Sequence, residues 1–229
     1  MWGYRYGWLF QVKRPEAFNC HDLFVIYALK MENTPKQSSV NKIEASILGC
    51  VTDELTLVVI DGLAASGKSY LMDELVRRNP KWQVIHLDEL QLPTPGQEWE
   101  HWTDEECSRC FVDTNHLKSL LTGLRQGRLV DFQPYDWTNH RIIEGVRTYV
   151  PQGVVLIEGA YTMRGALLPL YDLSVWVELD DEERMRRIGS RRQAEPGWQD
   201  AWFRGERAYM SSEKPQERAS LVVSGGAQL

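Results

Sequence analysis

The stretch Val58-Val59-Ile60-Asp61-Gly62-Leu63-Ala64-Ala65-Ser66-Gly67-Lys68-Ser69 decides how the chain is read. A β-branched apolar run meets Gly62, four residues intervene, Gly67-Lys68-Ser69 follows, and a helical pattern starts at Tyr70. This is the G-x-x-x-x-G-K-[ST] phosphate-loop pattern in its strand-then-helix setting. Gly62 and Gly67 allow positive φ and close backbone approach. The successive N–H groups from Gly62 through Leu63, Ala64, Ala65 and Ser66 to Ser69 and Tyr70 can therefore wrap a polyphosphate. The helix starting near Gly67 points the positive end of its dipole at the same anion. Lys68 is long enough to reach β- and γ-phosphates, and the Ser69 hydroxyl suits Mg²⁺.

Strands alternate with helices on both sides of this loop. Residues 55–60 and 154–158 are unbroken apolar runs, as expected of parallel strands buried on both faces. Residues 84–88, 129–132, 173–179 and 221–223 read as further strands. Helices are expected at 40–50, from the loop to 78, where Asn79-Pro80 stops the pattern, and at 114–125 with Asp113 as N-cap. An arginine-rich helix at 181–192 is broken by Glu195-Pro196-Gly197 and resumes at 200–212. The order predicts an α/β fold with a mostly parallel, five-stranded sheet flanked by helices.

Residues 1–30 differ from the rest: they are aromatic-rich and aperiodic, and they end before Met31-Glu32-Asn33. The expectation is an N-terminal extension over 1–40, with the functional protein starting near Met31, and a single domain over 41–229. At 229 residues, 43% of them apolar and 25% charged, the composition is that of a globular domain. A formal charge of −6 argues against a nucleic-acid partner. No apolar run is long enough to span a membrane. Four cysteines without a secretory signal fit free thiols in a reducing cytoplasm. The pair Cys107-x-x-Cys110 is too sparse to argue for zinc. Ser224-Gly225-Gly226 near the chain end is set aside as an ATPase signature because no helix follows it.

Two carboxylates stand where ligands bind in open parallel sheets, at the carboxyl ends of strands. Asp88 ends the second strand and can take a proton from a substrate hydroxyl, with Glu89 as the neighbouring alternative. Glu158 ends the strongest apolar run and is a second candidate ligand for Mg²⁺ beside Ser69. Arg184, Arg187 and Arg191 share one helical face by their spacing, and guanidinium groups suit the spread charge of a phosphoryl in transfer. Arg187 and Arg191 are the candidates for that role. Pairing of these arginines with Asp180, Asp181, Glu182 and Glu183 on a solvated face is the other reading.

Placed in order, these features resemble the uridine kinase and phosphoribulokinase family of P-loop kinases over residues 55–225. Gly62 to Ser69 matches the family's phosphate loop, Asp88 its catalytic aspartate, Ile157-Glu158-Gly159 its hydrophobic-E-G strand end, and Arg184, Arg187 and Arg191 its lid helix. Phe111-Val112-Asp113 and Pro134-Tyr135-Asp136-Trp137 are similar to its A-F-D and P-x-Y-D-F elements. The resemblance implies a P-loop NTPase fold with an arginine-rich lid at about 185–200, and ATP with Mg²⁺ as cofactors. It also implies catalytic roles for Lys68, Asp88, Arg187 and Arg191, and an acceptor pocket lined by Asp113, Tyr135, His140 and Arg141. The implied partner is a small hydroxylated acceptor, a nucleoside being favoured, and a homo-oligomer is compatible with the chain. The chain departs from the family at Glu106-Cys107-Ser108-Arg109-Cys110, at Leu90-Gln91-Leu92, at His140-Arg141 and at Arg191-Arg192. These departures fall in the acceptor half of the site, and the ATP half is intact.

Overall fold

Strand β1 (Leu55–Asp61) runs through the middle of a five-stranded parallel sheet, and the phosphate-loop sequence leaves its carboxyl end. The computed structural model describes residues 35–52, 54–90, 98–136, 141–190 and 197–226. Every element described belongs to one compact unit, residues 35–229.

In chain order, α1 (Pro35–Cys50) precedes β1, and α2 (Lys68–Arg78) follows the loop. Then come β2 (Gln83–His86), a 3₁₀ turn (Leu87–Leu90), α3 (Asp104–Cys110) and α4 (Thr114–Arg125). Short strands β3 (Val130–Phe132), β4 (Tyr135–Asp136), β5 (Arg141–Ile142) and β6 (Arg147–Tyr149) lead to β7 (Gly153–Glu158). The chain continues with β8 (Leu173–Glu178), α5 (Asp181–Gly189), α6 (Trp198–Glu213), α7 (Pro215–Arg218) and β9 (Leu221–Ser224). The sheet order is β2-β7-β1-β8-β9.

Alternation along the strands explains why both faces of the sheet are covered. Leu57 and Val59 of β1, with Val155 and Ile157 of β7, face a core shared with Leu117, Leu121, Leu124, Trp202 and Tyr209. Val58, Ile60 and Leu156 face the opposite core, built with Ile43 and Ile47 of α1 and Leu71 and Leu75 of α2. Truncating a residue such as Ile157 to alanine would cost about 2–5 kcal/mol, because it leaves a cavity in close-packed surroundings. Among the described residues, no helix is long and apolar enough to cross a membrane.

The structure adjusts several of the expected elements. Strand β2 ends at His86, so Asp88 does not end the strand but stands in the 3₁₀ turn that follows it. Helix α5 ends at Gly189, short of residue 192. Helix α1 starts at Pro35, earlier than residue 40, and its buried Ser39 donates to the Ser224 carbonyl at 2.7 Å, which ties it to β9. The stretch before Cys110 contains α3, started by a capping box in which Thr103 and Glu106 satisfy each other's backbone N–H groups. The strand expected at 129–132 forms outside the main sheet, as β3 paired antiparallel with β6. Most of the break at 195–197 lies outside the described residues.

Candidate active site

Parallel register brings the ends of three strands level. Ile60 pairs with Glu158, and Glu158 with His86. The residues that follow each strand, Asp61-Gly62, Gly159 and Leu87-Asp88, therefore meet at the carboxyl edge of the sheet. Gly159 is required there, because a Cβ would collide with Leu87, and that close approach sets Asp88 beside Glu158.

The loop joins β1 to α2 as expected, but three of the amides expected to face a phosphate donate to protein acceptors: Gly62 to Asp61, Ala64 to Glu206 and Ser66 to the Leu63 carbonyl. Gly67 takes φ 104° and acts as the N-cap of α2 without a side chain. No acidic residue stands in the first turn of α2, so its N-terminal dipole is left for an anion. Lys68 curls inward, and its Nζ donates to the Gly62 carbonyl at 2.7 Å and the Leu63 carbonyl at 2.9 Å. Ala65 adopts φ 63°, unusual for a residue with a side chain. Tyr70 lies exposed on the first turn of α2.

Ser69 Oγ donates to Glu158 Oε1 at 3.3 Å, and His86 Nδ1 lies 3.4 Å from Glu158 Oε2. Burial works to raise the Glu158 carboxyl, but the His86 hydrogen bond, the Lys68 and His86 charges and the Ser69 hydroxyl outweigh it and hold the group below its ordinary value. The same hydrogen bond to Glu158 raises His86 against the opposing effect of its burial. Asp88 is raised by desolvation first and by the charge of Glu158 second, with Lys68 and His86 opposing. Its surface nonetheless remains accessible. Asp88 thus sits in a cleft walled by protein yet open to an incoming molecule. Hard oxygen donors from Ser69 and Glu158 fit Mg²⁺, which keeps several waters and binds through few protein groups plus phosphate. Among the described residues, no three His, Cys, Asp or Glu side chains cluster as a protein-only metal cage.

Lys68, Ser69, Glu158 and Asp88 are thus brought together. The other candidates are placed differently. Tyr135 is buried on β4, which packs against the 3₁₀ turn carrying Asp88. Arg141 is exposed on β5 and pairs in register with Asp136. Asp113 accepts from the His116 N–H at 2.9 Å as the cap of α4. Arg187 is buried behind the loop: its Nε donates to Glu183 at 2.8 Å, Nη1 to the Ala65 carbonyl at 3.3 Å and Nη2 to the Gly226 carbonyl. His140, Arg191 and residues 192–196 of the lid segment lie outside the described residues. Cys107 is buried and Cys110 exposed on α3, both as free thiols.

Four features escaped the sequence reading. His86 is the partner of Glu158, hidden because only the last residue of its strand faces the site. Asp61 is fully buried and accepts from Gly62 N, Met163 N and Tyr209 Oη at 2.6, 2.8 and 2.6 Å. Glu206 is a buried carboxylate on α6, and its signal was a charge between Trp202 and Tyr209 on one helical face. Gly225 packs its backbone onto Ser66 and Gly67 of the loop, so the glycine pair after β9 serves close contact with the phosphate loop.

No protein-family model matches the chain. A uridine kinase of Macrococcus caseolyticus is 28% identical over 141 residues, covering 58% of this chain and 67% of that one. A uridine kinase of Streptococcus agalactiae is 34% identical over 140 residues, covering 58% and 66%. The chain belongs to the uridine kinase-like P-loop kinases. A solved structure described as a possible uridine kinase from Bacillus stearothermophilus shares the fold of this P-loop kinase, with TM-score 0.63 at 20% identity over 82% of this chain and 98% of that one. The kinase chain spans about two thirds of the length of its bacterial relatives. It spans 31% of the uridine kinase-like protein 4 of Arabidopsis thaliana, to which it is 27% identical.

Proposed function

We propose that the protein transfers the γ-phosphate of ATP to a hydroxyl of a small molecule, most favourably the sugar hydroxyl of a nucleoside such as uridine or cytidine. The observation that carries this reading is the convergence of Asp88 with Lys68, Ser69 and Glu158 at one edge of the sheet. A binding switch needs the last three, but only transfer to a hydroxyl uses the first. The relatives named uridine kinase support a nucleoside as acceptor.

In the proposed reaction the loop amides and Lys68 hold the β- and γ-phosphates, Lys68 leaving the Gly62 and Leu63 carbonyls to do so. When bound beside Ser69 and Glu158, Mg²⁺ supplies charge neutralisation on the phosphate oxygens. Asp88 accepts the proton of the attacking hydroxyl as its oxygen bonds to the γ-phosphorus and the bridging bond to the β-phosphate breaks, leaving ADP. Tyr135, Asp113, His140 and Arg141 orient the acceptor. Arg187 and Arg191 stabilise the transferring phosphoryl, and for Arg187 this means exchanging the Gly226 carbonyl for a phosphate oxygen while it keeps the Ala65 carbonyl. Positioning and electrostatics do most of the work, as little covalent chemistry falls to the protein. The free thiols suit a reducing cytoplasm.

The departures in the acceptor half leave a sugar, a vitamin precursor or an antibiotic as the second reading for the acceptor. A screen of nucleosides and sugars for stimulated ADP formation separates the two. Stimulation by uridine or cytidine supports the nucleoside reading. Stimulation by a sugar alone moves the acceptor to the second class.

A further inference from the structure

The phosphate loop is held from outside by a carboxylate that comes from far along the chain. Glu206, 2% exposed on α6, accepts the Ala64 N–H at 2.6 Å and the Trp202 indole N–H at 3.0 Å through Oε1. Its Oε2 accepts from Arg184 Nη1 of α5 at 2.8 Å, and Arg184 is itself 6% exposed. The Ala64 amide is the one immediately before Ala65, the residue held at φ 63°. On the other side of Ala65, its carbonyl accepts from Arg187. A left-handed alanine persists only when its surroundings over-determine it. Here Glu206 fixes the Leu63–Ala64 peptide, one residue ahead of it, and Arg187 the peptide directly after it.

We propose that Glu206 is a positioning residue for the nucleotide: by taking the Ala64 N–H outward, with Arg184 fixing the carboxylate, it sets the turn that aims the following loop amides at the phosphates. The inference rests on the reading of this loop as an ATP site. An ordinary buried ion pair that only stabilises the fold would have no reason to spend an oxygen on a loop amide. Helix α6 could pair with α5 through Arg184 alone.

The chemistry of glutamine makes the test. A glutamate offers two acceptor oxygens, whereas a glutamine offers one and a donating NH₂. In Glu206→Gln the single oxygen can serve Ala64 and Trp202 or it can serve Arg184, and the NH₂ must then face a donor. The control is Trp202→Phe, which removes a donor to the same Oε1 from the core side and leaves the Ala64 contact in place. Affinity for ATP with Mg²⁺ is measured by calorimetry on both variants and the wild type, full chain in each case, at a temperature where circular dichroism shows all three folded. The expected result is that Glu206→Gln weakens ATP binding about tenfold, the scale of one charged hydrogen bond, while Trp202→Phe lowers the melting temperature and leaves the affinity unchanged. Wild-type affinity in folded Glu206→Gln overturns the inference, as does a loss of affinity that follows melting temperature equally in both variants. A wild-type protein that binds no ATP overturns the functional reading itself, and this inference with it.

Discussion

The two sides of the cleft are built by opposite means. On the nucleotide side the polar groups of the loop are braced from behind by side chains removed from solvent: Asp61 on Gly62 N, Glu206 on Ala64 N and Arg187 on the Ala65 carbonyl. Buried, fully satisfied networks of this kind hold one geometry. On the acceptor side the elements are short. Strands β4 and β5 have two residues each, and Ile142, Ile143 and Val146 stand exposed around them. The turn carrying Asp88 is tied to β6 by the Glu89–Arg147 pair at 2.6 Å, at whose solvent-facing end Arg147 is half exposed. Tyr149 of β6 is buried, donates to the Val84 carbonyl at 2.8 Å, and burial pushes its hydroxyl up to about 12. A rigid cradle serves a polyphosphate common to every reaction of the class. In the proposed reaction the lighter frame of β4 and β5 would serve the part that must differ between acceptors, as loops on a rigid scaffold commonly do.

Substitutions on the two sides should therefore separate by which substrate they affect. The largest effect is expected from Lys68→Ala on the nucleotide side, a fall in kcat/KM of about 10³-fold with every acceptor alike, because the lost charge is needed in the transition state whatever the acceptor. Asp88→Asn, at the boundary of the two sides, should lower kcat by about 10²-fold while leaving ATP affinity nearly unchanged. Asp88 also dictates the acid side of the pH profile. Its carboxyl is raised and acts only when ionised, so the rate should fall as pH drops through a value above the ordinary aspartate range. That limb should vanish in the residual activity of Asp88→Asn.

Glu158→Gln should raise the Mg²⁺ concentration needed for half-maximal rate by about tenfold or more, the scale seen when a group supporting a bound metal is lost. Steady-state titration of Mg²⁺ at saturating ATP reads this. The smallest effect is expected on the acceptor side. Tyr135→Phe should raise the acceptor KM a few-fold, the scale of one neutral hydrogen bond, with the KM for ATP unmoved. A Tyr135→Phe variant that weakens ATP instead would dissolve the division between the sides.

The same division governs what was legible in the sequence. The nucleotide side is contiguous or lies at strand ends, so Gly62 to Ser69, Asp88 and Glu158 could be read from spacing and hydropathy alone. The braces could not, because Asp61 looks like the last residue of a strand and Glu206 meets Ala64 only after the fold brings α6 across 142 positions of sequence. Arg187 was legible as an arginine on a candidate face, but its grip on the Gly226 carbonyl depends on the glycines that follow β9 lying beside the loop. Helix α3 carried a readable signal in Thr103-x-x-Glu106, which the surrounding tryptophans and charges obscured. On the proposed acceptor side, Tyr135 was named by resemblance. Its closeness to Asp88 comes from β4 packing on a 3₁₀ turn, a contact that no local pattern encodes.

The most direct test of the central claim follows the label from γ-³²P-ATP into a panel of nucleosides and sugars, with wild-type protein and Asp88→Asn side by side in Mg²⁺. The account predicts labelled product from at least one hydroxylated acceptor with the wild type, and a rate about 10²-fold lower with Asp88→Asn at equal ATP occupancy. ATP binding without transfer to any acceptor, or equal transfer by both proteins, would contradict it.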